Sequence, residues 1–308
     1  MGNQFKTTIL LTLMTLFFMF IGRMLGGGPG MVMALIFAGG MNLFSYWYSD
    51  KLVLKMYRAT EVSPHDAPEL YEMVERLSQR AGLPMPKIFI IPQDAPNAFA
   101  TGRNPENAVV AVTQGLLRLM NRLEIEGVIA HELGHIKNRD ILIGTIAATM
   151  AGAVMMLANM ARWSAIFGGL NRNEDGEGGG GIIELIVMSI IAPIAAMLIQ
   201  MAISRSREFL ADATAASVTE NPSGLASALE KLGAYAQRIP MDANPSTAHM
   251  FIANPLTGNR LATLFSTHPP IEERVARLRN TRPDRNLRGE TRSGGVEKDA
   301  RDFWNRLS

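Results

Sequence analysis

Apolar residues gather in four long blocks along the chain, and charged residues fill the intervals. The first block, residues 7–25, reads TTILLTLMTLFFMFIGRML, and the second, residues 31–48, ends in Tyr46, Trp47 and Tyr48. GGGPG lies between them. The third block, residues 141–161, carries no charge, and the fourth, residues 182–203, contains Glu184, Pro193 and Gln200. A helix crossing the hydrocarbon core of a bilayer needs roughly 20 apolar residues. The pattern therefore predicts four transmembrane helices in two hairpins, 7–25 with 31–48 and 141–161 with 182–203. A cleaved signal peptide would need a small-residue site after its apolar core; Arg23 and a second apolar block follow instead. Arg23 can snorkel from the end of the first span, and Tyr46, Trp47 and Tyr48 suit an interfacial aromatic belt. The rival reading of the last two blocks is a buried hairpin in a soluble core; the length and lack of charge of the third favour a span, and in the fourth Glu184 and Gln200 lie near the ends, where polar groups are tolerated.

The intervals have the periods of a soluble α+β domain. APELYEMVERLSQRAGL places Leu70, Val74 and Leu77 on one helical face. KIFII (87–91), NAFAT (97–101) and AVVAV (108–112) are short β-like runs separated by turn residues. TQGLLRLM reads as a helix, and Asn121 with Glu124 makes a capping box that opens the next one. After the fourth block, SREFLADATAASV, SGLASALEKLGAYAQRI and IEERVARLRN read as helices, residues 240–268 as loop, and the Arg-rich residues 281–308 as a mobile tail. The resulting organisation is a transmembrane hairpin over 1–49, the first part of a soluble domain over 50–140, a second hairpin over 141–203, and the rest of the soluble domain over 204–280. Lys6, Lys51, Lys55, Arg58, Lys137, Arg139, Arg205 and Arg207 flank the spans on one side, against Arg23, Arg162 and Arg172 on the other. This bias places both soluble segments in the cytoplasm.

Composition removes several functions. The 308 residues carry a formal net charge of +2, which gives no electrostatic case for a nucleic-acid partner. There is no Cys, so thiol nucleophiles, Cys-ligated zinc and disulfide scaffolds are excluded.

The chemistry lies in VIAHELGHIKNRD, residues 128–140. His131 and His135 stand four apart, so on a helix both imidazoles point to one metal ion, with Glu132 beside it to take a proton from bound water. A catalytic zinc needs a third protein ligand. The helix of His135 runs into the third block, and the fourth block returns near residue 203 with Glu208 just beyond, at matched height above the membrane. Glu208 is thus the expected third ligand. Asp212, four residues on, is placed to orient a ligand imidazole. The bland alternative makes Glu208 and Asp212 a solvated face with Arg205 and Arg207 as salt partners. His65 reads as a surface residue, and His249 receives no role.

HELGH, SRSREFLAD and the span arrangement resemble HtpX, a family of bacterial membrane-bound zinc proteases related to the type-I CAAX prenyl protease. The likeness extends from about residue 1 to 280. It implies a multi-pass zinc endopeptidase of the inner (cytoplasmic) membrane with a zincin-like domain facing the cytoplasm. Its substrates would be unfolded, damaged or misassembled membrane proteins cleaved in quality control under stress. Residue by residue, it implies Zn2+ on His131, His135 and Glu208, with Glu132 as base. NAFATG would be an edge strand that pairs with substrate backbone, with Asn97 and Ala98 nearest the scissile bond. His268 would donate a hydrogen bond in the transition state. The rival class is a membrane metal carrier or sensor, which would use the ligands but not Glu132. An intramembrane protease would bury the motif in a span; Glu124, Glu126, Lys137, Arg139 and Asp140 bracket this one too closely. Oligomeric state is left open.

Overall fold

The computed structural model describes residues 3–152, 205–236, 238, 241, 243–244, 246–253 and 269–280. The fourth apolar block, the end of the third, the polar loop between them, His268 and the tail lie outside the described residues. Helix α1 (Asn3–Met56) folds back on itself. At Gly27 the backbone takes φ 61°, open without strain only to glycine. Beyond it the chain runs alongside its own start. Asn42 Nδ2 donates to Thr15 Oγ1 at 3.0 Å, although a straight helix would separate residues 27 apart by about 40 Å. Phe18 meets Phe37 edge-on. The first two blocks form the two arms of this hairpin, and the second arm continues helically to Met56 rather than ending near residue 48.

Strand β1 (Thr60–Glu61) follows, then α2 (Pro68–Ala81). The apolar face of α2 buries Leu70, Met73, Val74 and Leu77, and Gly82 caps it in the left-handed region. β2 (Lys87–Ile91), β3 (Ala98–Gly102) and β4 (Ala108–Thr113) complete a four-stranded sheet of order β1-β2-β4-β3. β4 is central and wholly buried, parallel to β2 and antiparallel to β3, with Ala98 opposite Val112 and Ala100 opposite Val110. β1 is two residues long, too short to leave an alternating pattern. α3 (Gln114–Leu119), α4 (Arg122–Lys137) and α5 (Ile141–Gly152) come next, then α6 (Arg205–Thr219), α7 (Pro222–Ala236), a 3-10 turn at Ala248–Met250 and α8 (Ile271–Asn280).

Alternating side chains give the sheet two buried faces. Ile88, Ala98, Ala100, Val110 and Val112 pack with α2, α4, α6, α7 and α8 in the main core. Ile91, Phe99, Val109 and Ala111 pack against Val53, Leu54 and Tyr57 at the end of α1 and against Phe251. A third cluster joins Leu10, Met14, Phe18 and Ala38 of the hairpin to Ile143, Ile146, Ala147 and Met150 of α5. The hairpin's outer surface stays apolar and bare, with Met33 67% and Leu43 66% exposed. Among the described residues, Gly27–Met56 is the stretch long and apolar enough to cross a membrane; Thr7–Phe20 and Ile141–Gly152 are apolar but shorter. The belt residue Trp47 carries the Arg103 guanidinium over its ring at 4.6 Å, which ties the hairpin to the β3–β4 connection.

Candidate active site

Helix α4 carries the motif, and its position is fixed at both ends. The capping box is present: Asn121 Oδ1 accepts from the Glu124 backbone N–H at 3.0 Å, and Glu124 Oε2 accepts from that of Asn121 at 2.9 Å. The same carboxylate takes Ser227 Oγ at 2.6 Å and Lys231 Nζ at 2.7 Å, which fastens the start of α4 to α7. Near the other end, Gly134 lets α4 approach α6 closely. A Cβ at Gly134 would lie 3.0 Å from Ala211 Cα and 3.1 Å from Ala211 O. That close approach brings Glu208 and Asp212 to the two histidines.

His131 Nε2 and His135 Nε2 face each other at 3.1 Å. Glu208 Oε2 lies 3.6 Å from the first and Glu208 Oε1 3.6 Å from the second. These separations suit one small cation. Donors about 2.0–2.2 Å from a tetrahedral zinc stand roughly 3.3–3.6 Å from each other. The opposite ring nitrogens are each turned to a carboxylate: His131 Nδ1 to Asp212 Oδ1 at 2.9 Å, and His135 Nδ1 to Asp140 at 3.2 Å. With Nδ1–H donating, each Nε2 presents its lone pair to the shared point. Charge agrees with this reading. Burial opposes a proton on His135, yet Asp140, Glu208 and Glu132 together push its pKa up to about 10, so the cage favours positive charge there. His131, wholly buried beside the Arg274 guanidinium, is pushed down to about 4 and stays a neutral donor. The donor set and its surroundings therefore fit zinc.

Glu132 points to the sheet. Its carboxylate receives the Ala100 backbone N–H, while Oε1 is buried without a hydrogen-bond partner among the described residues. Burial first, and then the Glu208 charge, push its pKa up to about 7, the range of a working general base.

Glu208 and Asp212 are buried, so the solvated-face alternative does not hold. Arg207 is buried with them, beside the charges of Asp140 and Glu208. Asn97 and Ala98 stand at the start of the edge strand β3, both buried. His65 is exposed, and His249 Nε2 contacts the Gly144 carbonyl at 3.1 Å.

Residues 64–282 match the profile of Peptidase family M48. The chain belongs to that family. It is 64% identical to the "Protease HtpX homolog" of Desulfatibacillum aliphaticivorans, each chain covered in full. The "Protease HtpX homolog" of Thermococcus kodakarensis is 58% identical, over 89% of this chain and 94% of its own. Among solved structures, the S. mikatae Ste24p crystal structure resembles this M48 chain at TM-score 0.50 and 18% identity. That likeness covers 90% of this chain and 66% of the other, and shows the shared fold. The protein is thus an HtpX-type metalloprotease, mostly helical, with buried His131, Glu132 and Glu208 and half-buried His135 gathered in one cluster.

Two members of this M48 site escape the sequence reading. Arg274 is 1% exposed; its Nε and Nη2 donate to Asp212 at 2.9 and 2.7 Å, and Nη2 lies 3.3 Å from His131 Nδ1. The signal was available: Arg274 sits on the same face of α8 as Ile271, Val275 and Leu278, a charge in the middle of an apolar stripe. The second is Asp140, five residues past His135, which the sequence reading uses only as a charge bracketing the motif.

Proposed function

We propose that the chain is a multi-pass zinc endopeptidase of the bacterial inner membrane, with its active site on the cytoplasmic side, that cleaves unfolded or misassembled membrane proteins. The observation that carries this reading is a His131–His135–Glu208 donor set with Glu132 beside it, built on a domain whose supporting hairpin presents a bare apolar surface. Zinc, when bound, supplies a Lewis acid that polarises a carbonyl and lowers the pKa of water. The protein's own residues do the rest. His131, His135 and Glu208 offer the donors. Asp212 and Asp140 fix the tautomers of His131 and His135, and Arg274 holds Asp212 in place. Glu132 accepts the proton of the attacking water and passes it to the departing amine. The edge strand β3, with Asn97 and Ala98, offers backbone hydrogen bonds to an extended peptide. His268 is the candidate donor to the developing oxyanion. Four spans would set this site at the lipid edge while leaving it wet, where segments that fail to insert would be met.

The test is Glu132→Gln in detergent-purified protein. Glutamine is nearly isosteric and cannot accept the proton. Zinc content and melting temperature should match wild type while casein cleavage is lost. Retained cleavage at equal zinc content would overturn the mechanism and favour a metal-binding protein without peptidase activity.

A further inference from the structure

The outer edge of β3 is already in use. The Ile252 backbone N–H donates to the Ala98 carbonyl at 3.0 Å, and the Ile252 carbonyl accepts from Arg274 Nη1 at 3.2 Å. One residue further, the Ala253 carbonyl accepts from Asn97 Nδ2 at 2.9 Å, and the Ala253 N–H donates to Asn97 Oδ1 at 3.3 Å. All four backbone polar groups of this dipeptide are held by residues around the proposed catalytic centre. The pairing is antiparallel, since 252 to 253 runs against 98 to 97. Continuing along the strand, the Ala100 N–H is bound to Glu132. The Phe251–Ile252 peptide bond therefore lies toward the part of the edge that carries the base. An added strand has this pattern: main-chain bonds give affinity, and alternate side chains give specificity.

We propose that Phe251–Ala253 is an internal pseudosubstrate, seated where the leaving-amine side of a substrate binds, which a substrate must displace. The inference rests on the peptidase reading above. The segment is also anchored on its amino-terminal side. The Phe251 ring packs against Tyr57 and Phe99 with centroids 5.2 Å from each, and Tyr57, at the end of the membrane hairpin, hydrogen-bonds Thr247. Burial of the catalytic groups agrees: Glu132 is 1% exposed and His131 0%. The seated dipeptide also names a substrate class. Ile252 is buried in the main core and Ala253 beside it, so the competing peptide carries a bulky aliphatic residue after the scissile bond and a small one next. Such pairs are frequent in unfolded apolar segments, whereas folding buries most of them.

The test uses the full-length protein in detergent. Ala253→Pro removes the N–H held by Asn97 and alters no side chain of the His131–Glu132–His135–Glu208 cluster. A tethered segment competes at an effective concentration on the order of millimolar. Its release should lower the KM for casein about 10-fold or more with kcat little changed. A free peptide of sequence HMFIA should inhibit this variant at about 10-fold lower concentration than wild type. Independently of how that variant folds, amide exchange in the Glu132→Gln protein should show Ile252 and Ala253 protected alone and about 10-fold faster with saturating HMFIA peptide. A folded Ala253→Pro protein with wild-type KM and peptide sensitivity, or amides whose protection the peptide leaves unchanged, would overturn the pseudosubstrate. A wild-type protein that cleaves no substrate would instead sink the peptidase reading, and the exchange measurement would still report displacement.

Discussion

Glu208 and Asp212 are about one helical turn apart, both buried, and differ in what they touch. Glu208 faces both Nε2 atoms, whereas Asp212, among the described residues, meets His131 Nδ1 and Arg274. Glu208→Ala should therefore abolish tight zinc binding, and Asp212→Asn should weaken it about 10–100-fold. Chelator titration followed by cleavage checks the order; the reverse order would reassign the ligands. The Arg274 guanidinium and His131 hold the Asp212 carboxyl well below the usual range although burial works against them. Arg274→Met would leave that buried carboxylate uncompensated and should cost about 3–5 kcal/mol in denaturant unfolding. Adding Asp212→Leu should recover part of the loss, and strict additivity would argue against the pair. Glu132 sets the acid limb of activity. A base works deprotonated, so kcat/KM should fall as pH drops through its pKa. Burial raises that pKa from 4.5 towards about 7, and a bound divalent cation lowers it again, so the midpoint should lie between these values. An acid limb whose midpoint shifts in Glu132→Asp would identify the group, and a flat wild-type profile over that range would exclude it.

At the scale of elements, the contact between α4 and α6 decides whether the ligands meet. Gly134→Ala pushes a methyl group against the Ala211 backbone, which cannot swing aside as a side chain could. The expected cost is about 1–3 kcal/mol, with weaker zinc retention because Glu208 moves with α6. Gly134→Val should be worse on both counts; thermal melts and chelator titrations measure them. The sequence makes α4 legible because the capping box and the i, i+4 histidines are local patterns. Its period also gives α2 and places β2 and β4 correctly, with β3 shifted one residue from 97–101 to Ala98–Gly102. Glu208 is reached in the sequence through the expected return of the chain after the fourth block, and the structure places it beside both histidines. Arg274 and the Ile252–Ala253 pairing are not legible, since both depend on contacts between residues far apart in sequence. A buried Arg looks like any surface Arg until the helix face it shares is counted, and a two-residue pairing has no period at all.

At the scale of the molecule, the site is joined to both the apolar hairpin of α1 and the M48 domain. Tyr57 and Arg103 make the junction: Tyr57 packs on Phe99 of β3, and Arg103 stacks on Trp47. α5 adds a second joint through Thr145, whose hydroxyl meets that of Thr101 at 2.9 Å. The edge strand is thus clamped to two apolar helices, and under the four-span proposal the orientation of those spans fixes the side on which peptides are cut. Lys and Arg near the block ends favour the cytoplasm for the domain. Reporter fusions after residue 60, within residues 170–180 and at the carboxy terminus should read cytoplasm, outside and cytoplasm. The middle fusion is decisive. A cytoplasmic result there would mean that blocks 141–161 and 182–203 do not cross, and that α5 packs on the hairpin from within the soluble domain. An outside result at residue 60 would turn the whole site to the other face. It would also put the buried carboxylates of the centre beyond the reach of cytoplasmic substrates. Only the alternating pattern is compatible with a site held at the lipid edge by two hairpins and supplied with water from the cytoplasm.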